Sequence, residues 1–75
     1  MLSFNFDPNG DDAMLTFGVG GERAAKALER HGIQGATLYG DRTVLYLPLS
    51  ELQKALDLKD DLGEAEVSFG KMELH

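Results

Sequence analysis

The sequence predicts an α+β fold: a ferredoxin-like β-α-β-β-α-β plait with an extra N-terminal strand, in one small globular domain spanning residues 1–75. Three observations predict it. Several short segments alternate apolar and polar residues, as half-buried strands do. Two segments with helical spacing separate them, each opened by turn or capping residues. The third is an internal echo, in which Lys26-Ala27-Leu28-Glu29 returns as Lys54-Ala55-Leu56-Asp57, 28 positions on. The same shift lays Phe17 and Val19 over Leu45 and Leu47, and Gly35 over Gly63. The aligned identities are too few to establish a duplication. They do mark two equivalent helix-on-sheet units, which is how a plait of two split β-α-β halves is built. The alternative is a chain of two hairpin-plus-helix units, ββαββαβ.

The elements follow in order. Leu2, Phe4 and Phe6 alternate with Ser3, Asn5 and Asp7, a strand pattern. Asp7-Pro8-Asn9-Gly10-Asp11-Asp12 is dense turn chemistry. A second strand has Leu15, Phe17 and Val19 on one face and Met14, Thr16 and Gly18 on the other, and the first two strands are expected to form a hairpin. Gly20-Gly21 punctuates the chain before a helix over Glu22 to His31, with Glu22 in its first turn and Arg30-His31 in its last, both favourable to the helix dipole. Ala24, Ala25, Ala27, Leu28 and His31 form its inward stripe, and Gly32 is the expected C′ residue. Ala36 to Tyr39 and Arg42 to Leu47 read as a hairpin about Gly40-Asp41. Pro48 stops it. Ser50 and Gln53 have capping-box spacing and open a second helix to Leu58, with Leu49, Leu52, Ala55 and Leu56 facing the core. Gly63 leads into a last strand in which Ala65, Val67 and Phe69 alternate with Glu64, Glu66 and Ser68. Met72 and Leu74 carry the opposite parity, which predicts a bulge or turn at Gly70.

Composition narrows the classes of function. The chain is 43% hydrophobic and 27% charged, ordinary for a globular protein and unlike a disordered one. It has no cysteine, so disulfides, thiolate metal sites and thiol catalysis are excluded. A reducing, cytoplasmic setting is the expectation. No apolar run approaches the ~20 residues that span a bilayer. The first dozen residues hold acids and no basic region, so a signal peptide is not expected. The formal net charge is −6. Such a chain repels phosphate backbones and anionic membranes, so direct nucleic-acid binding and membrane binding are not expected. A basic protein surface is the partner that electrostatics favours.

The element order is similar to that of heavy-metal-associated domains. That family carries a CxxC in the first strand-to-helix loop. Here the loop reads Gly18-Val19-Gly20-Gly21-Glu22 and holds no sulfur. The resemblance is one of element order, and its metal chemistry does not carry over.

No motif specifies catalysis or a cofactor. Gly18-x-Gly20 lacks the third glycine of a dinucleotide loop, where Arg23 stands, and Glu22 would repel a phosphate on the helix N-terminus. The glycines read better as a tight strand-to-helix turn. Asp7-x-Asn9-x-Asp11 has the opening spacing of a calcium loop, but Asp12 replaces its glycine and Gly18 its final glutamate. His31 and His75 are a poor metal pair, and Ser3, Ser50 and Ser68 lie in no nucleophile signature. No enzyme, metal or cofactor is expected.

Two surfaces remain. Asp57, Asp60, Asp61, Glu64 and Glu66 fall within ten residues, opposed only by Lys59. In a plait Glu22 and Asp41 would join them at one end. Val44 and Tyr46, with Met14 and Tyr39, would lie on the sheet face that the helices leave open. The candidate partner-binding residues are thus Asp41, Asp57, Asp60, Asp61, Glu64, Glu66, Tyr39 and Tyr46. The expected function is a non-enzymatic acidic interaction module or inhibitor that binds a basic surface of a partner protein. A phage-type, anti-defence inhibitor of nucleic-acid-handling machinery, its acids mimicking nucleic acid, is one such role. The alternative is a small-ligand or regulatory domain that forms a homodimer through the open sheet face.

Overall fold

The computed structural model describes residues 1–74; His75 lies outside the described residues. The elements are β1 (Leu2–Phe6), β2 (Asp12–Phe17), α1 (Gly21–Arg30), β3 (Thr37–Leu38), β4 (Thr43–Pro48), a 3-10 turn (Leu49–Glu51), α2 (Leu52–Leu56), α3 (Lys59–Leu62) and β5 (Ala65–Leu74). The fold is α+β. Its five strands form one antiparallel sheet in the order β1-β5-β2-β4-β3.

The core sits between one sheet face and the helices. Leu15 pairs with Val67 on one side and Leu45 on the other, and Phe17 pairs with Ala65 and Thr43. Cross-strand partners share a face, so these side chains form one layer. Ala24, Ala27, Leu28, Ala55, Leu58 and Leu62 pack on it from the helices. Thr43 is fully buried within this layer, and its hydroxyl donates to the Val19 carbonyl at 2.8 Å, which satisfies it. The inward stripe expected of α1 is observed at Ala24, Ala27 and Leu28. The helix ends as expected at Gly32. His31 is the C-cap, Gly32 takes φ +68°, its N–H bonds the Glu29 carbonyl and the N–H of Ile33 bonds that of Leu28. That pair of bonds is the Schellman motif.

Four expectations are corrected. First, β1 does not form a hairpin with β2. It pairs with β5, from Leu2 opposite Leu74 to Phe6 opposite Gly70. β2 pairs with the other edge of β5, from Asp12 opposite Gly70 to Phe17 opposite Ala65. Residues 7–11 therefore cross over β5 at Gly70 instead of turning back.

Second, β5 has no bulge at Gly70; its register is continuous on both sides. The apolar parity changes because the strand leaves the helices behind. Ala65 and Val67 face the helical layer, whereas Met72 and Leu74 share the opposite face with Phe4 and Leu2.

Third, the second helical segment is broken. No side chain caps it at Pro48 or Glu51, so the Ser50–Gln53 box does not form. The bonds tighten at Leu58, whose N–H reaches the carbonyl of Ala55. Asp60 and Asp61, expected beyond the helix, lie in α3.

Fourth, Leu49 is exposed; Ala55 is buried and Leu52 and Leu56 pack against the core half-buried, as expected, and Leu58 and Leu62 join them there. The tightened turn rotates Leu58 and Leu62 into the core.

The sheet is strongly curled. Tyr46 lies opposite Met14, which lies opposite Ser68, and Phe4 lies opposite Met72. In a flat sheet Phe4 and Tyr46 would be about 14 Å apart across the strands and about 13 Å apart along them. Their ring centroids are 5.3 Å apart. β1 and the second half of β5 therefore fold over the sheet face opposite the helices.

Candidate functional site

The acidic residues are positioned by strand register. Phe17 lies opposite both Thr43 and Ala65. Gly18, Arg42 and Glu64, each adjacent in sequence, are thereby brought to the same end of the sheet. The N–H of Gly21 donates to the Tyr39 carbonyl at 2.9 Å, which ties the start of α1 to the β3–β4 turn. Gly20 makes that possible: a β-carbon there would overlap the Tyr39 carbonyl and lie 2.6 Å from the Arg42 amide. Gly20 thus has a packing role and Gly21 a conformational one, at φ +65°. Glu22, Asp41 and Glu64 are brought to this end, with Glu66 two residues into β5 on the sheet face away from the helices. Arg42 lies at the same end, its guanidinium 4.6 Å from the centre of the Tyr39 ring. Lys26 pairs with Glu22 at 3.3 Å, both well exposed.

Asp61 does not belong to the acidic surface. Its carboxylate lies 2.9 Å from Nη1 of Arg30 and 3.0 Å from Nε2 of His31, and its carbonyl accepts from Arg23 at 2.9 Å. An ionised carboxylate only accepts, so the His31 nitrogen donates. The His31 hydrogen bond and then the Arg30 charge hold the Asp61 carboxyl below its ordinary value of 3.8. This group fastens α3 to α1. The chain contains a signal for it, because Arg23 and Arg30 stand seven apart on one helical face, but their partner lies some thirty residues on.

The remaining candidates divide between two faces. Asp57 and Asp60 are exposed on the helical layer. Glu66, opposite Thr16, and Tyr46, opposite Met14, are on the other sheet face. Tyr39 is exposed beyond β3, stacked with Arg42. The face expected to be open around Met14, Val44 and Tyr46 is partly covered: Phe4 lies against Tyr46, which stays 43% exposed, and Met14 and Val44 are half-buried.

The acids of residues 7–12 have local partners. Asp7 Oδ1 accepts the N–H of Asn9 at 2.9 Å, an Asx turn, and Asp12 Oδ2 accepts the N–H of Met72 at 2.8 Å. Among the described residues no three His, Asp or Glu are grouped as metal ligands would be. No helix among them is long and apolar enough to cross a membrane. A recess of about 260 Å³ lies between β4, α2 and the loop after α1, with Glu51 and Lys54 as its charged groups. Comparisons with protein-family models, curated proteins and solved structures find no match.

Proposed function

We propose that the protein is a non-enzymatic, acidic interaction module that engages a basic surface of a partner protein through the end carrying Glu22, Asp41, Glu64 and Glu66. The observation that carries this reading is the register of Phe17 with Thr43 and Ala65, which gathers acids from three separate segments at one end of the sheet. Asp60 is exposed on the helical layer, where it lines a recess with Arg23, Lys26 and Arg30. Asp57 is exposed at the end of α2, and Asp61 serves the internal ion pair. A net charge of −6 draws a cationic partner from a distance and raises the association rate. Inhibition of nucleic-acid-handling machinery, with carboxylates standing where phosphates would bind, is the form of the activity that this chemistry favours. The strand order β5-β2-β4-β3 supports the finer reading of the fold as a ferredoxin-like plait with β1 added outside β5.

The test starts from capture of binding proteins at low and at high salt. Association rates of a captured partner are then measured with the wild type and with the triple variant Asp41→Lys, Glu64→Lys, Glu66→Lys. The rate at low salt should fall at least about tenfold and lose most of its salt dependence. An unchanged rate would remove the acidic end from the interface.

A further inference from the structure

The two edges of the sheet differ in kind. β3 is only two residues long, a common way to blunt an edge. β1 is five residues long and carries no charge, no proline and no bulge. Its backbone orientation follows from two bonds. Met72, opposite Phe4, sends its N–H away from β1 to Asp12, whereas Asp7 donates its N–H to the Phe69 carbonyl. Bonded and non-bonded pairs alternate along an antiparallel ladder. Ser3 and Asn5 therefore bond to β5, while the N–H and C=O groups of Leu2, Phe4 and Phe6 point to the outer edge.

We propose that two copies of this chain associate by antiparallel pairing of β1 with β1 about a twofold axis at Phe4. The strand suits itself as a partner. Leu2-Ser3-Phe4-Asn5-Phe6 has the same apolar–polar order read from either end. With Phe4 opposite Phe4, Leu2 of each copy faces Phe6 of the other. All three pairs are of the outward kind and exchange backbone bonds. Their apolar side chains fall on one face and the Ser3–Asn5 pairs on the other, as an isologous interface requires. Charge selects the same surface. Two copies at −6 each repel, and an uncharged strand is where they can meet. Leu2 is 63% exposed and Phe6 68%, and pairing sets each against the other from the second copy. The acidic end lies apart from this edge, so the dimer does not depend on the proposed partner.

Sedimentation velocity from low to high micromolar concentration, with backbone hydrogen exchange on the same samples, tests it. The wild type should pass from monomer to dimer. The amides of Leu2, Phe4 and Phe6 should gain about tenfold or more protection at high concentration, while those of Asn5 and Lys71 are protected throughout. Leu2→Lys, at an exposed side chain, should abolish the dimer and leave the thermal midpoint of the monomer unchanged; Phe6→Lys should also abolish it, while lowering the monomer midpoint by the loss of its ring contact with Phe4. A wild type that stays monomeric at high micromolar concentration overturns the proposal. So does a dimer without added protection at Leu2, Phe4 and Phe6, or one that survives Phe6→Lys and is lost in Tyr46→Lys. The exchange measurement needs no variant and decides the matter if a lysine variant fails to fold.

Discussion

Gly10 lies directly over Gly70. A β-carbon on Gly10 would overlap the Gly70 carbonyl and come within 2.8 Å of its α-carbon. One on Gly70 would in turn overlap the Asn5 carbonyl and the ring of Phe4. This is the point where residues 7–11 pass from one edge of β5 to the other. Two backbones and an aromatic ring share one crossing, and the space there admits hydrogen atoms only. Phe4 extends the contact on one side to Phe6, whose ring stands edge-on at 5.2 Å, and on the other to Tyr46. The crossing therefore sets both the curl of the sheet and the placement of β1.

Gly10→Ala and Gly70→Ala should each destabilise the fold by about 1–3 kcal/mol, the range for overpacking a site whose neighbours are backbone and cannot rotate away. Gly18→Ala is the control, because a β-carbon there meets nothing within 4 Å. Urea denaturation of the three variants checks this. Equal midpoints for Gly18→Ala and Gly70→Ala would mean that the crossing is not tightly packed.

What the sequence made legible was what local chemistry determines. The alternation in β2 marks which of its faces is buried, because one face of that strand meets only the core. The Schellman end at Gly32 involves residues within one turn of each other. The echo holds even in backbone detail, as Gly35 and Gly63 take φ values of +82° and +81°. The choice of partner for β1 was not legible. Turn residues at 7–12 suit a hairpin and a crossover equally, and only Gly70, sixty residues away, distinguishes them. The ion pairing of Asp61 was not legible for a related reason. A run of acids in sequence counts charges, whereas Arg30 and His31 decide where one of them points.

Asp12 holds the crossing from the other side. Once β5 passes Gly70 its β2-facing edge has no strand beside it, and Asp12 Oδ2 takes the N–H of Met72 at 2.8 Å. Asp12→Ala leaves that amide without its acceptor and should cost about 1–3 kcal/mol. Asp12→Asn keeps an oxygen at the same place and should cost less. Denaturant midpoints for the pair, with exchange of the Met72 amide, give the check. Equal losses from both substitutions would show that the acceptor is not what matters.

The ion pair between α3 and α1 gives stability a pH dependence with a definite sign. The Asp61 carboxyl is held below its ordinary value of 3.8, first by the His31 hydrogen bond and then by the Arg30 charge. A carboxyl lowered in the folded state binds its proton more readily when the chain is unfolded. Its contribution is therefore complete above the unfolded value, and it is lost as pH falls from there through the lowered folded value. The wild type should lose thermal stability progressively below that ordinary value. Asp61→Asn, which cannot ionise, should start lower and decline less steeply over the same interval. His31→Ala should flatten the acid limb more than Arg30→Ala does, following the order of the two causes. Thermal midpoints recorded in steps from neutral to strongly acidic buffer decide the point. An Asp61→Asn curve parallel to the wild type throughout would show that the contact carries no net proton linkage.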